Sequence, residues 1–387
     1  MINMNGIFDS LKTPCYVIDE GQLLKNAEAL ASVMSRTGCK ILLAQKAFSN
    51  YDFYPLLSGY LAGTEASGLY EARLGKEEMP EGEVHVFCGA YRDDEFDELL
   101  KYADHIVFNS VHQLAKFGFK AKNAGKSVGL RINPECSTQE GHEIYDPCAR
   151  GSRLGVTRSV LDKEMTPELL ELLDGLHFHT LCEQNSDALE VTVRVVEEKF
   201  ADVLPRMKWL NMGGGHHITK ADYDVARLER ILTDAKEKWG VQVYLEPGEA
   251  VALNSGYLLT RVLDVVENQD MKIAILDASA ACHMPDVIEM PYTPPLRGAD
   301  SEGGKPYRYR LGGPTCLSGD VIGDYSFDHE LKEGDLLVFE DMAIYTTCKN
   351  NTFNGMPLPD IYKLKADGSI EQITHFGYAD FKHRLGS

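Results

Sequence analysis

No stretch of the 387-residue sequence carries an apolar run long enough to span a bilayer, so no membrane segment is expected. Basic residues are outnumbered, with 39 Lys and Arg against 59 Asp and Glu, for a net charge of −20. Such a surface repels nucleic-acid phosphates, which argues against a nucleic-acid partner, and it is compatible with a cationic substrate. The nine cysteines are odd in number and lack paired zinc-type spacing, which points to reduced thiols rather than a disulfide framework. Residues 1–10 show no basic-then-apolar leader, and a cytoplasmic location is the expectation. Low-complexity segments are also missing.

What the sequence does contain is a repeating alternation. Residues 13–19 read as a short strand. Residues 20–36 read as a helix, with Leu23, Leu24, Ala27, Leu30, Ala31 and Met34 at helical spacing. Strand-like runs then recur at 40–46, 61–67, 84–88, 105–110, 127–133, 175–181, 208–212 and 241–246, separated by helix-sized intervals. About eight such units predict a parallel sheet with right-handed crossovers, closed as a (β/α)8 barrel over residues 21–250. Past Glu249 the helical periodicity fades. Alternating runs at 261–267, 272–277, 307–311, 335–345 and 360–365 predict a second, antiparallel β domain over residues 251–387. Residues 1–20 are expected to join it, because a leading strand outside the barrel needs a partner. The Pro- and Gly-rich residues 287–304 read as loop.

The first barrel strand, apolar from Ile41 to Ala44, gives way to Lys46. Burial at a strand end is expected to lower the pKa of such an ammonium and make the amine a usable nucleophile. The plainer reading is a lysine that snorkels to solvent. His179 ends Gly-Leu-His-Phe-His within the run at 175–181, Gly213, Gly214 and Gly215 follow the run at 208–212, and Glu246 closes the last strand. Each has an ordinary explanation alone: His177 and His179 as core histidines, the glycines as a tight corner, Glu246-Pro247-Gly248 as a turn. Gathered at the C-terminal mouth of one barrel, they match what pyridoxal 5′-phosphate requires. Its aldehyde needs an amine, its phosphate a glycine nest, its pyridine nitrogen a carboxylate and its ring a planar partner. The rival is a metal-dependent hydrolase that uses His177, His179, His216 and His217 as ligands. The last strand offers Glu-Pro-Gly and no aspartate base, so no metal is expected.

Longer motifs surround these residues. They include Leu-Ala-Gln-Lys-Ala-Phe-Ser around Lys46, Ser152-Arg153-Leu154-Gly155, Gly-Leu-His-Phe-His-Thr-Leu-Cys-Glu ending at Glu183, and Gly-Gly-Gly-His-His at 213–217. Further on come Tyr-Leu-Glu-Pro-Gly-Glu-Ala, His283-Met284-Pro285-Asp286, Gly-Pro-Thr-Cys-Leu-Ser-Gly-Asp ending at Asp320, and Asn351-Thr352-Phe353-Asn354-Gly355. On these motifs the chain resembles, over nearly its whole length, the fold-type III pyridoxal-phosphate decarboxylases. That group holds the ornithine, arginine and diaminopimelate decarboxylases and shares its fold with alanine racemase. Within it, the resemblance runs to members acting on carboxynorspermidine and carboxyspermidine.

The resemblance implies that Lys46 binds the cofactor aldehyde, that His179 stacks on its ring and that Glu246 holds its pyridine nitrogen. Gly213, Gly214, Gly215 and Tyr345 would bind the phosphate. Cys316 would return a proton to the substrate carbon from the partner chain of a homodimer with shared active sites. Two departures bear on the substrate. Glu249 stands where ornithine and diaminopimelate enzymes usually carry arginine, and Leu317 stands where those relatives are acidic. An anion in place of a cation repels a second carboxylate and attracts an ammonium, which favours a carboxypolyamine. Asp286 and Asp320 are the further candidate contacts, with turn-forming roles as their plainer reading. The alternatives within the fold are diaminopimelate and ornithine or arginine decarboxylation. A non-enzymatic cofactor carrier resembles the barrel alone.

Overall fold

The computed structural model describes residues 4–139 and 146–386. One compact unit comprises residues 24–46 and 50–251, the other residues 1–23, 47–49 and 252–387. Strand β1 (Cys15–Asp19) belongs to the second unit.

The next eight strands form the first unit. They are β2 (Lys40–Ala44), β3 (Gly63–Ala66), β4 (Glu83–Phe87), β5 (His105–Phe108), β6 (Ser127–Arg131), β7 (Gly175–His177), β8 (Trp209–Asn211) and β9 (Gln242–Leu245). All neighbours pair in parallel, and β2 closes on β9 through Lys40 opposite Tyr244 and Ile41 opposite Leu245, giving the predicted closed barrel. The strands are short, so the residues anticipated at their ends lie just past them: Lys46 and His179 by two positions, Glu246 by one. Inside, Leu42, Val107, Trp209 and Tyr244 share a core cluster. A Cβ on Gly175 would lie 2.0 Å from the Trp209 indole, so the missing side chain is what admits that ring.

The crossover helices end where their sequences dictate. The helix Val225–Trp239 starts on Asp224, whose side chain accepts from the Arg227 N–H, and stops at Gly240 in the left-handed region. Its buried Leu228, Ile231, Leu232, Ala235 and Trp239 repeat at three and four residues, forming one apolar stripe.

In the second unit, β1 lies between β10 (Gly256–Asn268) and β15 (Asp360–Leu364). Its other strands are β11 (Met271–Leu276), β12 (Tyr307–Gly312), β13 (Val321–Phe327), β14 (Leu336–Glu340) and β16 (Ile370–Thr374). Phe8, Cys15, Val17, Leu259, Val338 and Leu364 form its core. The expectation of an antiparallel sheet is corrected here: β1 pairs with β15, and β11 with β12, in parallel. Both pairs join strands separated by long connections, which no hairpin turn constrains to run antiparallel. Part of the anticipated loop 287–304 also belongs to a short helix, Asp286–Glu289.

Candidate active site

The segment leading to Lys46 is fastened within the barrel unit before the side chain emerges. The Gln45 N–H donates to the Glu65 carbonyl at 3.0 Å. The Gln45 side-chain amide donates to the Glu71 carbonyl at 2.8 Å, and the Tyr54 hydroxyl donates to Gln45 Oε1 at 3.1 Å. Lys46 Nζ then meets Glu65 Oε2 at 2.9 Å; the carboxylate is 1% exposed, the lysine side chain 32%, so a ligand can reach the amine.

This ion pair reverses one expectation. Burial alone would lower the Lys46 pKa, but the attraction of Glu65 and Glu246 and the Glu65 hydrogen bond outweigh it, and the net shift is upward. Burial in turn pushes Glu65 up to about 7, with Lys46 pulling it down and Glu246 pushing it further up. The resting amine is therefore a stabilised ammonium with a carboxylate beside it to exchange the proton. A Glu65→Gln variant should react with pyridoxal phosphate half-maximally at a lower pH than native, since losing the anion releases the ammonium proton. Rates of cofactor attachment across pH check this, and an unchanged or raised midpoint would contradict it.

Glu246 is held twice by its carboxylate. Asn211 Nδ2 donates to Oε1 at 2.6 Å, and His177 Nε2 lies 3.1 Å from Oε2. Burial pushes this carboxyl up, yet the contact and hydrogen bond with His177, with the Lys46 ammonium behind them, hold it well below the usual carboxylate range. His179 is displaced well downward by burial, then by Lys46 and Arg131, so its ring is neutral; its Nδ1 accepts from the Gly214 N–H at 3.2 Å. Arg131 lies over the Phe87 ring at 4.5 Å and donates to the His179 carbonyl at 3.1 Å. Burial lowers its guanidinium to about 10.

The glycine run passes close to other backbone. Gly213 and Gly215 have φ of 71° and 81°, and a Cβ on Gly215 would lie 2.1 Å from the Leu181 carbonyl oxygen. A Cβ on Gly214 would lie 2.5 Å from the Glu246 carbonyl oxygen and 3.1 Å from His179 Cε1. Lys46, His179, Gly213, Gly214, Gly215 and Glu246 thus belong to one barrel unit, mostly through direct contacts. Glu249 opens the short helix Glu249–Ala252, its carboxylate 3.6 Å from His217 Nε2.

The other candidates are on the sheet unit. Cys316 is exposed, with its N–H donating to Asn354 Oδ1 at 2.7 Å, and Leu317 beside it is 43% exposed. Asp320 is buried; it accepts from Ser279 Oγ at 2.9 Å and Thr315 Oγ1 at 2.6 Å, and so anchors the loop that carries Cys316. Asp286 is ion-paired to Lys349, which also holds Glu289. Tyr345 has a φ of 50°, and its N–H donates to the Ala47 carbonyl within the same unit at 3.0 Å.

Sequence reasoning missed Glu65, Arg131 and Asn211, and took His177 as a core residue or, in the rival reading, a metal ligand. The signal that singled out Lys46, a charge closing a buried strand, was present for Glu65 in Gly-Thr-Glu-Ala and for Arg131 in Ser-Val-Gly-Leu-Arg. Asn211 gave no such sign, being neutral. The metal reading lacks a common centre: among the described residues His177, His179, His216 and His217 do not gather their ring nitrogens where one ion could be held.

The site fits pyridoxal phosphate. A reachable amine, a buried anionic carboxylate, a neutral imidazole and glycine backbone that tolerates no Cβ are its four requirements, each present. A parallel barrel carrying this array, with a mixed sheet unit beside it in the chain, defines the barrel-and-sheet class of pyridoxal-phosphate enzymes. Residues 15–343 match the family described as "Pyridoxal-dependent decarboxylase, C-terminal sheet domain", and the chain belongs to that family of decarboxylases.

The chain is 44% identical to the carboxynorspermidine/carboxyspermidine decarboxylase of Campylobacter jejuni, over 97% of this chain and 99% of the relative. It is 40% identical to the carboxyaminopropylagmatine decarboxylase of Synechocystis, over 99% and 97%. The crystal structure of carboxynorspermidine decarboxylase complexed with norspermidine, from Campylobacter jejuni, superposes with a TM-score of 0.88 at 42% identity, covering 97% of this chain and 100% of that one. Among the described residues no helix is long and apolar enough to cross a membrane.

Proposed function

We propose that this chain decarboxylates carboxynorspermidine and carboxyspermidine to norspermidine and spermidine, using pyridoxal 5′-phosphate held by the barrel unit. The carrying observation is the array of Lys46, Glu65, Glu246 and His177, in a chain 44% identical to a decarboxylase of those two compounds.

Lys46 would hold the cofactor aldehyde, Glu246 its pyridine nitrogen, His179 its ring face, and Gly213, Gly214, Gly215 and Tyr345 its phosphate. Bound there, the cofactor supplies an electron sink for the pair left behind when CO2 departs. Glu65 takes up and returns the Lys46 proton across their 2.9 Å contact. Glu246, kept anionic, would stabilise a proton on the pyridine nitrogen. Cys316 of a partner chain donates a proton to the former α-carbon, a role its exposure in a single chain leaves open. Glu249 and Asp286 attract the substrate's distal ammonium groups, whereas Asp320 is committed to its loop.

The test is CO2 release from carboxynorspermidine, carboxyspermidine and carboxyaminopropylagmatine, with diaminopimelate and ornithine as controls. The first two are expected to react with similar kcat/KM, because one methylene is worth only about 1 kcal/mol in a pocket. Preferential turnover of diaminopimelate or ornithine would overturn the assignment. Shared sites have their own check. Mixing inactive Lys46→Ala and Cys316→Ala proteins should restore up to about a quarter of native turnover, since half the exchanged dimers regain one intact site. No recovery after subunit exchange would remove Cys316 from the trans role.

A further inference from the structure

Asn211 ends β8 and is fully buried, at 0% exposure. Its side chain makes two contacts with opposite demands. The Nδ2 group donates to Glu246 Oε1 at 2.6 Å, and Oδ1 accepts from the Gly213 N–H at 2.9 Å. An ionised carboxylate can only accept and a backbone N–H can only donate, so this amide has one satisfactory orientation. The backbone repeats the same link, because the Glu246 N–H donates to the Gly213 carbonyl at 2.7 Å. Gly213 is closely approached by other backbone: its φ is 71°, and a Cβ there would lie 2.4 Å from the Phe178 carbonyl oxygen.

We propose that Asn211 is a positioning residue that sets the register between the two ends of the cofactor cradle, one amide holding both the carboxylate of Glu246 and the glycine run at Gly213. This rests on the reading that the barrel holds pyridoxal phosphate. The pyridine end and the phosphate end of that molecule are a fixed distance apart. A link from the carboxylate to the first glycine therefore pre-forms the site before the cofactor arrives. Neutrality matters as much as shape. The charged and titratable groups facing Glu246 are Lys46, Glu65, Arg131, His177, His179 and His216. An aspartate at 211 would be nearly isosteric with the amide yet add a second anion against Glu246, where the native residue adds a donor.

The experiment measures the dissociation constant of pyridoxal phosphate from the full-length apoprotein by equilibrium dialysis at pH 8.5 and pH 6, alongside far-UV circular dichroism. Asn211→Asp should bind about ten- to hundredfold more weakly than native at pH 8.5, the range for outer partners that orient a ligand-holding side chain. It should recover toward native at pH 6, where the introduced carboxyl gains a proton and can donate to Glu246. Asn211→Ala should be weakened by a similar factor at both pH values relative to native. Combined with Glu246→Gln, Asn211→Ala should cost less than the product of the two single losses, because the shared contact is lost only once.

Native-like affinity of Asn211→Asp at pH 8.5, or strictly multiplicative losses in the double variant, would overturn the role. If Asn211→Asp does not fold, the smaller, uncharged Asn211→Ser decides: a loss of about tenfold supports the role and native affinity refutes it. Failure of the native chain to bind pyridoxal phosphate would sink the underlying reading and this inference with it. Native binding with unaffected variants would sink this inference alone.

Discussion

Replacing Lys46 with alanine is expected to abolish both the visible absorbance of the cofactor-loaded protein and turnover, the latter by at least about a thousandfold. The nearby cation Arg131 cannot substitute, because it keeps its proton, its pKa falling only to about 10. The substitution has a second, structural consequence with a definite sign. Glu65 is raised to about 7 from the ordinary glutamate value of 4.5. A carboxyl raised on folding contributes stability that is present below its unfolded pKa and lost as pH climbs through its folded one, so this loss falls between about 4.5 and 7 in the native chain. Without the ammonium, Glu65 and Glu246 face one another unbalanced. The Glu65 value rises further and the loss extends to higher pH. The melting temperature of apo Lys46→Ala should therefore fall more steeply than native between pH 7 and pH 9. Retention of both absorbance and turnover would remove Lys46 from its place in the mechanism.

Glu246→Gln is expected to separate binding from chemistry. Lys46 remains, so the cofactor should still attach and the visible absorbance persist, shifted in the way the proposed Glu246 role requires when its anion is lost. The catalytic rate should fall by about a hundred- to thousandfold, the scale of removing one preorganised electrostatic partner from a buried site. The direction follows from the native arrangement. His177 and Lys46 together hold this carboxyl far below its ordinary range, so it stays anionic throughout the working pH range and, in the proposed role, would keep a proton on the pyridine nitrogen. A neutral amide cannot. It also places an NH2 group where the native oxygens accept from Asn211 or face His177, costing one of those contacts. Steady-state kcat with carboxynorspermidine and the absorbance spectrum decide the matter; a kcat within twofold of native would show that ring protonation does not depend on Glu246.

Much of the fold was legible because its determinants are local. Strands buried on both faces read as short apolar runs, and eight such runs with helix-sized spacers match the eight barrel strands from Lys40 to Leu245. The second sheet was legible as β structure but not in its directions. Strand polarity between segments as distant as Cys15–Asp19 and Asp360–Leu364 is set by tertiary docking rather than by a turn.

The site divides along the same line. The sequence by itself determined that a lysine, an imidazole, three glycines and a carboxylate follow barrel strands, and a closed barrel must bring such positions to one rim. Only the tertiary structure decided the electrical state of that rim. The Lys46 ammonium was expected to be weakened by burial and is instead strengthened, because Glu65, on the neighbouring strand, has its carboxylate at 2.9 Å. Coulomb attraction between buried groups depends on distances that sequence spacing does not encode. The link from Asn211 to both Glu246 and Gly213 was invisible for a related reason. A neutral amide carries no compositional signal, and its meaning lies wholly in which donor and which acceptor the fold sets on either side of it.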